Sequence, residues 1–112
     1  MVKKSYVPER GDFAWISFNP TKGREQSGFR PALVLTSSLY NTKSDLVLAC
    51  PITSRTKGYP FEVYCRGNKI DGVILSDQIK SIDWTKRKMQ FIEKASPAVM
   101  NEVTEKIKIL IA

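Results

Sequence analysis

Residues 29–54 read FRPALVLTSSLYNTKSDLVLACPITS. Two apolar runs, ALVLTS (32–37) and LVLACPIT (46–53), flank the polar, Asn-bearing turn YNTKSD (40–45). Each run is too short for an ordinary helix, is largely aliphatic and is bounded by turn residues. Both are therefore expected as central strands, covered on two faces. FAWISF (13–18), apolar almost throughout, reads the same way. FEVYC (61–65) alternates and is followed by a hairpin turn in RGNKIDG (66–72). VILSDQIKSI (73–82) reads as one longer strand, and KMQFIEK (88–94) as the last. Short strands at such close spacing suggest a small, strongly bent sheet or barrel rather than a βαβ fold.

The period changes at Ser96. In SPAVMNEVTEKIKILIA, Val99, Val103, Ile107 and Leu110 fall on one helical face, with Met100 and Ile111 beside them. Ser96 is a natural N-cap and Pro97 suits the first helical position. The expectation is a mainly β domain, 1–112, with a C-terminal α-helix packed on the sheet. No repeat, linker or membrane-length apolar run interrupts it.

The chain carries 18 Lys and Arg against 11 Asp and Glu, a net charge of +7. The helix holds two charges of each sign, so the surplus belongs to the sheet and its loops. A surface of that sign attracts polyanions: nucleic acid, an anionic membrane or an acidic protein partner. There is no histidine, which removes the commonest general acid/base and the commonest metal ligand. With Cys50 and Cys65 as the only cysteines, a zinc site is not expected; buried, reduced thiols in a cytoplasmic protein are. The start, MVKKSYVPERGDF, has no apolar core of a signal peptide.

Three polar stretches are candidates for a functional site. Asn19–Arg30 is long and polar and contains Lys22, Arg24, Glu25 and Arg30. Pro31 forces Arg30 into extended backbone at the mouth of a core strand, so its guanidinium stands on a fixed base. A planar fork held still is well made to grip a phosphate. PITSRTKGYPF (51–61) offers the hydroxyls of Thr53 and Ser54, the cations Arg55 and Lys57, and Tyr59 for stacking on a base. In SDQIKS (76–81), strand spacing sets Asp77, Ile79 and Ser81 on one face and Ser76, Gln78 and Lys80 on the other.

GDFAWISFNPTKGREQSGFRPALVL, KGYPFEV and DGVILSDQIKSIDW together resemble the MazF/PemK (Kid) family of toxin endoribonucleases, and the likeness runs from about Tyr6 to the terminal helix. The resemblance implies an SH3-like small β-barrel of the CcdB/PemK type and a homodimer. It implies metal-independent cleavage of single-stranded RNA, often mRNA, at short specific sequences. The ribose 2′-OH attacks the neighbouring phosphate and leaves 2′,3′-cyclic phosphate and 5′-OH ends. By motif, Arg30 in GFRP and Thr53 in PITS match the catalytic pair, and Glu25 and Asp77 match acids implicated in catalysis. Lys57, Gln78 and Lys80 fall where RNA contacts are expected. No cofactor is implied; the implied partner is an acidic, MazE-like antitoxin. Asn19 and Phe29 depart from common family residues within the specificity loop, so a relative's cleavage sequence does not transfer. Two other readings are a CcdB-like poison of DNA gyrase and a non-catalytic RNA-binding module. The first relies on a Trp-containing tail, which the terminal KIKILIA lacks.

Overall fold

The strand Leu46–Thr53 organises the domain. In the computed structural model, which describes residues 6–17 and 29–112, the elements run β1 (Asp12–Ser17), β2 (Phe29–Val34), α1 (Ser38–Ser44), β3 (Leu46–Thr53), β4 (Glu62–Arg66), β5 (Asp71–Leu75), β6 (Lys80–Asp83), β7 (Met89–Lys94) and α2 (Pro97–Ile111). The strand order is β4-β5-β3-β2-β1-β7, with β6 pairing to β3, and all pairs are antiparallel. The mainly β fold with a C-terminal helix is as expected.

The central strands are covered on both faces, as their continuous apolar runs require. One core cluster gathers Phe13, Leu33, Cys50, Ile52, Val63, Cys65, Ile74, Ile92 and Val103. The other gathers Ile16, Ala32, Val34, Val47, Ala49 and Ile82. Both cysteines are free, and burial pushes the thiol of Cys50 up to about 12 and that of Cys65 up to about 11.

Three expectations need correction. The turn proposed at 40–45 is largely helix α1, capped by Ser37 and closed by Asp45 in left-handed backbone (φ 64°). Its buried residue is polar: Asn41 donates to the carbonyls of Pro8 and Thr36, both at 2.9 Å. The single strand read over 73–82 is two strands. β5 and β6 pair along the same partner, but Ile74 sits opposite Ile52 and Lys80 opposite Ala49, so six steps of chain match three. The surplus is extruded as a turn at 76–79, and the strand alternation read there does not apply. Its root is fixed by Ser76, whose N–H and hydroxyl both donate to the Phe61 carbonyl. Across that gap Cys50 and Pro51 have no β5 or β6 partner, and a proline, lacking an N–H, is well placed there.

The third correction concerns α2. Ser96 caps it through Val99 N–H and Pro97 opens it, as read. Val99, Met100, Val103 and Ile107 pack on the core. The last turn does not: Ile109, Leu110 and Ile111 are 72%, 43% and 76% exposed.

Candidate RNA-cleavage site

Arg30 is exposed on β2, a strand that begins three residues earlier than the apolar run alone indicated because Ser17 and Phe29 extend the β1–β2 pairing. Thr53 ends β3. The two side chains line a groove of about 290 Å³ together with Arg55, Lys57, Tyr59, Asp77 and Gln78. Seven residues from three separated sequence motifs therefore share one concavity. A second concavity, of about 340 Å³, also contains Arg30 and Thr53, and adds Trp15, Ser54, Lys69 and Asp71. Lys80 is exposed at the start of β6 and lines neither. Lys22, Arg24 and Glu25 lie outside the described residues.

The floor of the groove is set by local hydrogen bonding. Thr53 Oγ1 accepts the N–H of Arg55 at 3.2 Å, a short turn that leaves the hydroxyl hydrogen available for another acceptor. Gln78 N–H donates to the Leu75 carbonyl at 3.0 Å and fixes the turn that presents Asp77. Asp77 and Gln78 are thus displayed by the extra residues between β5 and β6, not by a strand face.

Glu62 was not among the residues singled out from the sequence. It begins β4, lines the groove, and turns its carboxylate back on the 54–61 loop. It accepts the Thr56 hydroxyl at 2.7 Å, the Lys57 N–H on both oxygens and the Gly58 N–H at 3.1 Å. The Thr56 hydroxyl bond and those amides hold the carboxyl below the usual carboxylate range. Gly58 takes φ 77°, a left-handed conformation that glycine adopts without strain. The Glu62 lone pairs are directed at the backbone, so this acid orders a basic loop with little left to oppose a phosphate. Nothing in FEVYC signalled this, because the partners are main-chain amides and one hydroxyl, all outside that stretch. Trp15 and Phe29, both part-exposed, stack with ring centroids 5.9 Å apart beside the Arg30 concavity.

Among the described residues no group of three or more His, Cys, Asp or Glu is placed to hold a metal ion. The site instead combines guanidinium, ammonium, hydroxyl and carboxylate groups around an open groove. A family model described as a PemK-like, MazF-like toxin of a type II toxin–antitoxin system matches residues 9–111. The chain belongs to that family.

Its relatives within the family are close. The endoribonuclease toxin MazF of Escherichia coli (strain K12) is 46% identical over 106 residues, covering 95% of this chain and 96% of the relative. Endoribonuclease EndoA of Bacillus subtilis (strain 168) is 29% identical over 112 residues, at 95% and 96% coverage. Among solved structures, MazF of Deinococcus radiodurans superposes with a TM-score of 0.85 at 44% identity, covering 96% and 98% of the two chains. A MazE–MazF structure from the same organism gives 0.84 at 40% identity, covering 96% and 97%.

Proposed function

We propose that this protein cleaves single-stranded RNA, mRNA included, at short specific sequences by attack of a ribose 2′-OH on the adjacent phosphate. It is an endoribonuclease toxin; each curated relative named above carries the endoribonuclease name. The observation that carries the finer reading is the convergence of Arg30 and Thr53 with Arg55, Lys57, Asp77 and Gln78 on one groove.

The chemistry requires charge stabilisation on a phosphorane-like centre, a proton acceptor for the 2′-OH and a donor for the 5′ oxygen. Arg30 grips the non-bridging oxygens with two parallel charge-assisted bonds. Thr53 donates its free hydroxyl hydrogen to the same phosphate. Glu25 and Asp77 are the carboxylates available for the proton transfers or for orienting Arg30. The bond from the 2′ oxygen to phosphorus forms as the bond to the 5′ oxygen breaks. The products are a 2′,3′-cyclic phosphate and a 5′-OH, and no metal ion takes part. Arg55, Lys57 and Tyr59 hold the flanking nucleotides, with Lys22, Arg24, Ser54, Gln78 and Lys80 completing the RNA surface.

The same basic groove suits an acidic, extended inhibitory segment of a cytoplasmic antitoxin, which would compete with RNA for it. MazE–MazF structures among its structural neighbours support that reading. The exposed Ile109, Leu110 and Ile111 suit a contact in a homodimer.

The test is incubation of the purified, antitoxin-free protein with a long single-stranded RNA in excess EDTA. Cuts at a recurring short sequence, with cyclic phosphate and 5′-OH ends, are expected; Arg30→Ala, folded as the parent, leaves the RNA intact. Intact RNA with the parent, or an active Arg30→Ala protein, would refute the proposal.

A further inference from the structure

A third concavity lies on the other side of the 54–61 loop, over β4 and β5. At about 510 Å³ it is larger than the groove that holds the catalytic candidates. We infer that it is a nucleobase subsite for a nucleotide next to the scissile phosphate, walled by Tyr59 and Tyr64 and read by Asp71. The inference rests on the endoribonuclease reading and deepens it.

The two tyrosine rings are 60% and 57% exposed, so packing in the core does not explain them. An aromatic face left open beside a phosphate grip is what an unstacked base requires. Tyr64 is also held in place. Its hydroxyl donates to Asp71 Oδ1 at 3.0 Å across the β4–β5 pair. That bond aims the carboxylate: Oδ2 accepts no hydrogen bond among the described residues.

The subsite is physically joined to the candidate active site. Ser54 and Asp71 line both this cleft and the concavity containing Arg30 and Thr53. Gly72 forms part of its floor, and a Cβ there would stand 2.6 Å from the Thr53 carbonyl oxygen. The floor of the cleft is thus the back of the strand pair that ends in Thr53. Because the two concavities meet at Ser54 and Asp71, the cleft is open to the base of a nucleotide whose phosphate is held by Arg30 and Thr53.

A carboxylate only accepts hydrogen bonds, so Asp71 favours a base edge that donates. Adenine, cytosine and guanine each carry an exocyclic amino group; the one base donor of uracil, N3–H, is flanked by two carbonyl oxygens that repel a carboxylate. The subsite therefore selects against uracil at one position beside the cut.

The experiment is cleavage of short single-stranded RNAs randomised around a mapped cut site, with products sequenced for the parent, Asp71→Asn, Tyr64→Phe and Tyr64→Ala. The parent is expected to deplete uracil at one flanking position. Asp71→Asn, whose amide also donates, relaxes that depletion about 10-fold and leaves the other positions alone. Tyr64→Ala raises KM about 10-fold with little change in kcat. Tyr64→Phe keeps the KM, because the ring remains, but blunts the preference. An Asp71→Asn profile that superposes on the parent, or an unchanged KM in Tyr64→Ala, would overturn the subsite while leaving the nuclease reading intact. A parent protein that cuts no RNA would overturn both.

Discussion

The carboxylate of Glu62 receives the backbone N–H of Lys57 on both of its oxygens, at 3.2 and 3.0 Å. With the Thr56 hydroxyl and the Gly58 amide it fixes the middle of a loop whose ends are set by Thr53 and Phe61. Ordering a loop before the ligand arrives spares part of the entropy that binding would otherwise cost. Glu62→Gln replaces an acceptor oxygen with a donor and should raise KM for RNA several-fold with little change in kcat. The pH dependence follows from the depressed carboxyl. The ordering is present above the ordinary carboxylate value, about 4.3, and is lost as pH falls through the lower folded-state value. The Lys57 and Gly58 amide resonances should therefore titrate with a midpoint below about 4.3 in the parent and not at all in Glu62→Gln. A midpoint at or above the ordinary value would remove the pinning role.

Arg30 and Thr53 separate by the kind of substitution each tolerates. Arg30→Lys keeps the charge but loses the planar fork, so it should retain only a small fraction of parental kcat. Thr53→Ser keeps the hydroxyl and should stay near the parent. Thr53→Val keeps the shape, loses the donor and the turn to Arg55, and should lower kcat on the order of 10²-fold. Single-turnover cleavage measures all three. Equal rates for Ser and Val would mean that the hydroxyl contributes nothing.

Gly72 links stability to the site. An added Cβ would lie 2.6 Å from the Thr53 carbonyl and 3.2 Å from Ile52 Cγ2, and the carbonyl, being backbone, cannot swing aside. Gly72→Ala should cost about 1–3 kcal/mol in urea unfolding, and it should also lower cleavage by displacing Thr53. A loss of stability with parental activity would show that the strand absorbs the strain elsewhere.

Strands β1, β2 and β3 could be read because continuous apolar runs have few other fates, and Pro31 tied Arg30 to one of them. The helical period of α2 and its Ser96 cap were equally local. Helix α1 could not be read that way, since its buried anchor is the amide of Asn41 and not an apolar stripe. The extrusion of Asp77 and Gln78 depends on how many residues of β3 face β5 and β6, which is a property of pairing and not of the 73–82 stretch itself. Glu62 stayed hidden for a related reason: apart from the Thr56 hydroxyl, its partners are backbone amides that any sequence possesses. Motif resemblance located the groove, while the non-local register explains why its residues stand out from the sheet.

Lys57 gives a quantitative test of the basic groove. Its backbone is held by Glu62 and its side chain lines the groove with Arg30. Each cation that neutralises a phosphate of single-stranded RNA adds about 0.7 to the steepness of log affinity against log salt concentration. Removing one such contact flattens the slope by that amount, whereas removing a distant charge does not. Binding of a non-cleavable RNA, with deoxyribose at the cut site, should accordingly give Lys57→Ala a slope shallower by about 0.7 than the parent. Lys43 is exposed on α1 and lines neither concavity that holds Arg30, so Lys43→Ala should keep the parental slope. If both variants flatten the slope alike, the attraction is a property of the whole +7 surface. A slope unchanged in Lys57→Ala would take that side chain out of the RNA interface.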